Sequence, residues 1–185
     1  MELGQSSAIA AVMAIDRQIP VQEVDAAGIR DITRNNPLAD GSTPEIIVDN
    51  DDTDHVTVEG EWVRERRDSY GYSRLTDEHK DQAFRQVHFS IPVTVSGTYT
   101  LYIYVPKVQH ASSTTSVSVS AGGVVKEVGI PTGKLQVEGQ TSGEWVKCGA
   151  YQLAPGKDNF VTISNKGTDG VVVADAVLLT KTPGR

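Results

Sequence analysis

The stretch Thr98–Val105, TYTLYIYV, sets the fold class of this chain. In it Tyr99, Leu101, Ile103 and Val105 alternate with two threonines and two further tyrosines. Side chains of a strand point alternately to its two faces, so this period of two predicts a strand with one core face and one amphipathic face.

Most of the chain after residue 44 shows the same kind of pattern. Alternating or short apolar runs predict further strands at 46–49, 56–63, 87–91, 116–120, 124–130, 145–153, 160–164 and 171–180. Glycine-containing turn signals separate them, among them Gly122-Gly123 and Pro155-Gly156. About nine strands without a helix between them predict a mainly β fold: an antiparallel β-sandwich (jelly roll) with a short N-terminal α-helical segment.

The first 36 residues follow a helical pattern instead. Residues 6–15 are rich in alanine and apolar on nearly every side, so a helix there expects burial all round. A second short helix is predicted after Asp25, a good N-cap, and ends before Pro37. Residues 37–44 contain two prolines and a glycine and are predicted to be a linker, and 45–185 form the sandwich.

Composition excludes some classes of function. The chain has 185 residues and a formal net charge of −7, without the basic face of a nucleic-acid binder or of a protein that docks on anionic lipid. We therefore expect neither nucleic acid nor membrane as a partner. The single cysteine, Cys148, excludes an internal disulfide and a cysteine-based zinc site.

An acidic cluster follows the first predicted strand, at Asp49, Asp51, Asp52 and Asp54. Four carboxylates in so short a stretch can hold a hard cation, so calcium is a candidate cofactor, although the spacing does not match an EF-hand loop. The alternative is a solvated turn in which Asp and Asn side chains cap backbone amides.

Aromatic and basic residues supply the candidate ligand contacts. Trp62, Tyr70 and Tyr72 lie on or near one loop, and exposed aromatic rings suit the flat faces of sugars; the alternative for Trp62 and Trp145 is a core anchor. Nearby arginines, Arg64 among them, can bind a uronate or a phosphate in a bidentate manner. Interleaved acids favour the alternative of a solvated surface loop.

No catalytic residue is identified from motifs. The chain contains no G-x-S-x-G nucleophile elbow, no H-E-x-x-H pair and no glycine-rich phosphate loop. Cys148 lies in the middle of a predicted strand, which favours a packed thiol over a nucleophile. Asp175 lies among apolar residues, where a carboxylate must be hydrogen-bonded or paired, so we expect it to tie down a neighbouring loop through backbone amides.

The order of several short motifs resembles the golvesin C-terminal-like domain. These motifs are IIVDN at 46–50, GEW at 60–62, YGY at 70–72, GTYTLYIY at 97–104, EW at 144–145, GAY at 149–151 and VVADAV at 172–177. The resemblance implies a jelly-roll module, similar in shape to carbohydrate-binding modules and appended to secreted bacterial enzymes, and hence a secreted or periplasmic location. Asp49 and Trp145 belong to these motifs, and we expect both, with Asp175, to have structural roles.

A second resemblance concerns the N-terminal segment. Residues 1–11, MELGQSSAIAA, resemble the stretch that opens the last helices of FAD-dependent oxidoreductases, and PVQEVD at 20–25 fits the tail of those proteins. The resemblance implies that residues 1–36 are the remnant of an upstream domain, that Met1 is internal to a longer polypeptide, and that the parent protein binds FAD. Proteins of this arrangement are sometimes described as xanthan-lyase-like.

Two functions follow from the sequence. The first is a non-catalytic accessory module of a secreted bacterial enzyme, which binds carbohydrate or docks on its own upstream catalytic domain. The alternative is the C-terminal part of an FAD-dependent oxidoreductase or of a xanthan-lyase-like polysaccharide-degrading enzyme. In either case this chain by itself is not expected to be catalytic.

Overall fold

The structure is a computed structural model that describes residues 2–35, 45–79, 81–135 and 141–182. The predicted linker at 37–44 lies outside the described residues. Contacts within the chain divide it into two compact units, Met1–Pro44 and Glu45–Arg185, and each is described by itself.

The N-terminal unit contains helix α1 (Glu2–Arg17), a 3-10 turn (Val21–Glu23) and helix α2 (Ala26–Asn35). The predicted N-cap of α2 is confirmed, because the Asp25 carboxylate accepts hydrogen bonds from the backbone N–H groups of Ala27 (3.0 Å) and Gly28 (3.1 Å). These bonds also lower the pKa of Asp25.

Within its unit helix α1 is only partly buried, and the expectation that an upstream domain covers its apolar sides stays a prediction. Met13 and Ala14 are buried, whereas Val12 and Ile15 are exposed. None of the helices among the described residues is long and apolar enough to cross a membrane.

The second unit is built from strands, which confirms the mainly β prediction. The described residues form twelve strands: β1 (Ile46–Asp49), β2 (Val56–Glu59), β3 (Val63–Glu65), β4 (Arg74–Thr76), β5 (Gln86–Ser90), β6 (Gly97–Pro106), β7 (Thr115–Ala121), β8 (Val124–Ile130), β9 (Gly143–Leu153), β10 (Phe160–Ser164), β11 (Val173–Ala174) and β12 (Ala176–Lys181). A further 3-10 turn spans Thr132–Lys134.

The strands form three antiparallel sheets. One has the order β1-β12-β6-β9, the second the order β2-β5-β10-β7-β8, and a small third sheet the order β11-β4-β3. Non-sequential neighbours in both large sheets are typical of jelly-roll sandwiches. The small sheet pairs β4, which follows the Tyr70–Tyr72 segment, with β11.

The core lies between the two large sheets. The predicted inward face of β6 is confirmed, since Tyr99 and Leu101 are 0% exposed and belong to one apolar cluster with Phe89 of β5, Ile163 of β10 and Val177 of β12. Burial of such side chains is the main stabilising term of a sandwich.

Two predicted strands are interrupted, and one short strand was not predicted. The run at 56–63 divides into β2 and β3 because Gly60 has a positive φ of 83° and turns the chain. The run at 171–180 divides into β11 and β12 at Asp175. Strand β4 has three residues, all buried. It was not predicted because so short a strand with a charged Arg74 shows no apolar alternation.

A β-bulge in β9 changes which side chains point to the core. The pairing of β6 with β9 shifts between Leu101, opposite Gly149, and Tyr102, opposite Lys147, so that Cys148 is an extra residue. The bulge lets Trp145 and Tyr151 point to opposite faces of the sheet, although they are six residues apart and a regular strand would place them on the same face.

Candidate functional site

Three aromatic rings meet on the outer face of the β6–β9 pair. The ring centroids of Tyr70 and Trp145 are 5.0 Å apart, those of Tyr104 and Trp145 are 5.2 Å apart, and those of Tyr70 and Tyr104 are 5.7 Å apart. All three pairs are tilted or edge-to-face, the favoured geometry for aromatic contacts.

Pairing within the sheet explains two of these rings. Tyr104 and Trp145 are directly opposite in the β6–β9 register, and both lie on the side of the sheet that faces away from the core. Tyr104 is nevertheless only 7% exposed, because the rings of Tyr70 and Trp145 pack against it. The amphipathic face of β6 thus carries a second, smaller aromatic layer.

The third ring comes from the tyrosine loop, as we call residues 66–73 between β3 and β4. The carboxylate of Asp175, which is 0% exposed, accepts the backbone N–H of Tyr70 with both oxygens, at 3.1 and 3.3 Å. This is the loop-tying role that the sequence predicts for Asp175. The break between β11 and β12 places this carboxylate under the loop.

A second fastening joins the tyrosine loop to β9. The Ser142 hydroxyl donates to the backbone carbonyl of Ser69 at 3.2 Å and is hydrogen-bonded to the Tyr104 hydroxyl at 2.8 Å. Within the loop, the Ser69 hydroxyl donates to the carbonyl of Gly71 at 3.0 Å. Ser142 therefore links the tyrosine loop to the hydroxyl of Tyr104.

Gly71 is required where the loop passes Asp49. A Cβ at this position would collide with the Asp49 carboxylate. Asp49 in turn accepts the N–H of Asp51 with Oδ1 at 3.0 Å, while within the described part of the chain its Oδ2 is buried without a hydrogen-bond partner. Asp49 thus packs against Gly71, under the loop.

Burial raises the pKa of both acids under the loop. Desolvation is the main cause for Asp175, whose pKa rises to about 7, with the hydrogen bond from Tyr70 opposing the rise and the charge of Asp49 adding to it. Desolvation likewise raises the pKa of Asp49, while Arg64 opposes the rise. The tyrosine loop therefore rests on two carboxyl groups that burial makes harder to ionise.

Arg64 has partners within the chain at the end of the tyrosine loop, so its guanidinium is less available to a ligand than the sequence suggested. Its guanidinium is paired with Asp51 and donates to the Ser73 hydroxyl at 2.8 Å, and Ser73 in turn donates to Asp51. The side chain of Asn50 donates to the same hydroxyl at 3.1 Å. Whether Arg64 also contacts a ligand stays a prediction.

Tyr70 and Tyr72 are the exposed aromatic residues of the loop, at 41% and 65%. The guanidinium carbon of the exposed Arg66 lies over the Tyr72 ring, 4.7 Å from its centroid. We call Tyr70, Tyr72 and the half-buried Trp145 the aromatic face. Because Tyr70 packs against Trp145 and its backbone is held by Asp175, a flat apolar ligand face can contact this ring without first ordering the protein.

Trp62 does not join this face. It packs against the core, and its indole N–H donates to the carbonyl of Glu59 at 3.1 Å. It also lines a separate open cleft of about 540 Å³ together with Arg85 and Asp77. Trp62 thus has the core contact that was the sequence-based alternative for both tryptophans, whereas Trp145 packs against Tyr70 and Tyr104. A ligand role for Trp62 stays a prediction.

The acidic side chains at 49–54 bind separate partners close to them in the structure. Asp52 is hydrogen-bonded to the His55 ring at 2.8 Å and accepts the N–H of Asp54 at 3.1 Å, and Asp51 is paired with Arg64. Among the residues described, no three acidic, histidine or cysteine side chains are placed to share a metal ion. Calcium binding by Asp49, Asp51, Asp52 and Asp54 stays a prediction.

Cys148 is buried in the bulge, and desolvation raises the pKa of its thiol to about 12. A thiol this reluctant to ionise is a packed group and not a nucleophile at neutral pH.

Sequence reasoning missed two residues of the aromatic site. Tyr104 was visible only as a member of the amphipathic face of β6, and the long-range contact of that face with Tyr70 leaves no local pattern. Ser142 lies in a turn without any motif. The predicted outward direction of Tyr104 was the one signal that could have found the cluster.

Comparison with known proteins identifies a family model and a curated relative that match this chain. A family model described as the Golvesin C-terminal domain matches residues 46–181. A xanthan lyase of Bacillus sp. (strain GL1) is 31% identical over 153 residues, which cover 72% of this chain and 14% of that protein. The chain therefore spans only a small part of this curated relative.

Solved structures give the same picture. The structure of a Paenibacillus xanthan lyase matches with a TM-score of 0.65 and 29% identity, covering 75% of this chain and 13% of that chain. The structure of the Podospora anserina GH26-CBM35 β-(1,4)-mannanase matches with a TM-score of 0.54 and 19% identity, over 76% of this chain and 28% of that chain, and shows likeness of fold alone.

Proposed function

This chain belongs to the Golvesin C-terminal domain family, and on that premise we propose that it is a non-catalytic accessory module that binds carbohydrate through its aromatic face. The observation that carries the proposal is the exposed Tyr70, held beside Trp145, with the exposed Tyr72 two residues further along the same loop. Aromatic rings offer apolar faces that match the C–H-rich faces of pyranose rings, and their polar edges stay hydrated.

The fastening of the tyrosine loop supports this proposal. A loop that only connected two strands would not need a buried carboxylate, a serine bridge and a glycine pressed against an acid to keep its shape. Preorganised contact residues lose little conformational entropy on binding, which is how a small and shallow face reaches useful affinity.

Affinity electrophoresis tests the proposal. The full chain is run through gels that contain soluble xanthan, galactomannan, polygalacturonate or alginate. We expect retardation by at least one polymer, and we expect the double variant Tyr70→Ala/Tyr72→Ala to bind it at least about tenfold more weakly, because truncating a central aromatic contact costs about 2 kcal/mol or more.

The control is Phe84→Ala, which removes an aromatic side chain of similar exposure (50%) away from the tyrosine loop. It should migrate like the unchanged chain. Retardation that survives in the double variant would place the ligand elsewhere. If none of the four polymers retards the unchanged chain, carbohydrate binding is contradicted and docking on a catalytic domain becomes the better proposal.

The similarity to xanthan lyases supports a wider proposal about the parent protein. Because the chain corresponds to 14% of its curated relative, we infer that it works as one module of a secreted polysaccharide-degrading enzyme. The module would keep that enzyme on its polymer. FAD binding by an upstream domain rests on the first 36 residues and stays a prediction.

A further inference from the structure

We propose that the ligand of the aromatic face is an acidic polysaccharide and that Arg66 binds its carboxylate. This inference rests on the proposed function, since it names the chemical class of sugar that the same face takes. An arginine near the tyrosine loop that pairs with no acidic side chain of the chain is available to a ligand.

Three of the four arginines at 64–74 have acidic partners within the chain. Arg64 is paired with Asp51, Arg67 with Glu65 at 2.7 Å, and the buried Arg74 with the other oxygen of Glu65 at 2.7 Å. The guanidinium groups of these three residues are therefore already paired with carboxylates of the chain.

Arg66 is different from its neighbours. Within the part of the chain that the structure describes, its guanidinium is paired with no acidic side chain, and it lies over the ring of Tyr72. Attraction between the cation and the electron-rich ring face favours this position of the side chain. An exposed charge is thus positioned by an aromatic ring, which leaves its N–H groups for something outside the chain.

The position suits a sugar acid. Tyr72 is 65% exposed although Arg66 covers part of it, so a pyranose that contacts the open part of this ring would lie close to the guanidinium. A planar guanidinium can donate two parallel N–H groups to a carboxylate, which a neutral sugar lacks. Stacking would supply general affinity for sugars, and Arg66 would select the acidic ones.

The overall charge of the chain makes a local contact necessary. A net charge of −7 repels a polyanion at long range, so non-specific attraction cannot explain retention of an acidic polymer. Retention would have to come from a specific cation such as Arg66.

The experiment compares matched polymers and matched variants. Xanthan, polygalacturonate and alginate are each used as such and after reduction of their carboxylates to primary alcohols. We expect the full chain to bind an acidic polymer at least about tenfold more tightly than its reduced form, the ratio for one charge-assisted contact of about 1.5 kcal/mol. Arg66→Gln should remove this ratio, and Arg66→Lys should restore only part of it, since lysine keeps the charge and loses the planar fork.

The control is Lys126→Gln, which makes the same change of charge at an exposed position of β8. It should keep the ratio, whereas an equal loss in Lys126→Gln would overturn the proposal by showing that only net charge matters. Equal binding of acidic and reduced polymers, lost in the Tyr70/Tyr72 double variant, would overturn the role of Arg66 and leave the proposed function standing. Absence of binding to every polymer, acidic, reduced or neutral, would contradict both.

Discussion

Asp175 shows how one residue can connect the end of the chain to the candidate site. Its carboxylate is fully buried at the break between β11 and β12 and accepts the N–H of Tyr70, so an acid close in sequence to the last strand holds the loop of an exposed ring. Burial raises its pKa from 3.8 to about 7. The loop is therefore fastened by a group whose charge is unfavourable in the folded state.

This shift predicts a pH dependence of stability. Between pH 3.8 and about 7 the folded chain keeps the Asp175 proton that the unfolded chain releases, so the free energy of unfolding falls as pH rises through that window. The fall is at most about 1.4 kcal/mol per pH unit for one proton, and it ends above the folded pKa. Asp175→Asn stays neutral and keeps an acceptor for Tyr70, and it should lack this fall.

Urea unfolding at pH 4 and pH 8 measures the effect. The unchanged chain should lose stability relative to Asp175→Asn between the two values, whereas the exposed-site control Asp68→Asn should run parallel to the unchanged chain. Parallel profiles for Asp175→Asn and the unchanged chain would show that the carboxyl group is not desolvated in the folded state.

Among the elements, strand β9 separates the core from the candidate site. Its bulge at Cys148 turns Trp145 outward to Tyr70 and Tyr104 while Tyr151 packs against the core. Gly149, next to the bulge, has a φ of +142°, and a Cβ there would lie 3.1–3.3 Å from the Tyr151 ring. Both the backbone and the neighbouring ring thus call for glycine at this position.

Gly149→Ala should therefore be more destabilising than an ordinary glycine substitution. We expect a loss of more than about 1 kcal/mol in the free energy of unfolding, because alanine disfavours positive φ and its methyl group would meet the ring of Tyr151. Gly156→Ala is the control, since Gly156 also has a positive φ (+65°) with open space around it. The free energy of unfolding of both variants is measured with urea. If Gly149→Ala and Gly156→Ala lose the same amount, the Tyr151 ring moves aside at little cost and does not constrain the bulge.

The elements also show what the sequence can predict. Alternation in β6 predicts its buried face, because that pattern is local to eight residues and follows from strand geometry. The bulge in β9 leaves no pattern of its own, so the direction of Trp145 could not be predicted. The pairing of Tyr70 with Asp175 joins positions 105 residues apart, and only the folded topology reveals it. The exposure of Tyr70 and Tyr72 could be predicted from the sequence, because Gly71 lies between them and the surrounding loop is rich in charged residues.

At the scale of the whole molecule, every residue of the apolar core cluster of the sandwich lies between Val48 and Leu179. Strand β1, the first strand of this unit, pairs with β12, its last strand, in the four-stranded sheet. All strands of this sheet therefore come from residues after 44. The residues of the aromatic face and of its fastening also lie inside Glu45–Arg185. Folding and ligand binding of this unit should therefore be independent of residues 1–44.

A chain limited to residues 45–185 tests this independence. We expect it to fold in a cooperative transition with a Tm within a few degrees of the sandwich transition of the full chain, because the apolar core lies entirely within these residues. The Tm is a sensitive measure, since each kcal/mol of lost stability would shift it by about 2–6 °C at this size. Its retardation by the polymer that binds the full chain should be unchanged, and Tyr70→Ala/Tyr72→Ala should abolish it in both lengths. A truncated chain that unfolds or loses the polymer while the full chain keeps it would show that the N-terminal helices are part of the working module, and the aromatic face alone would then be insufficient for binding.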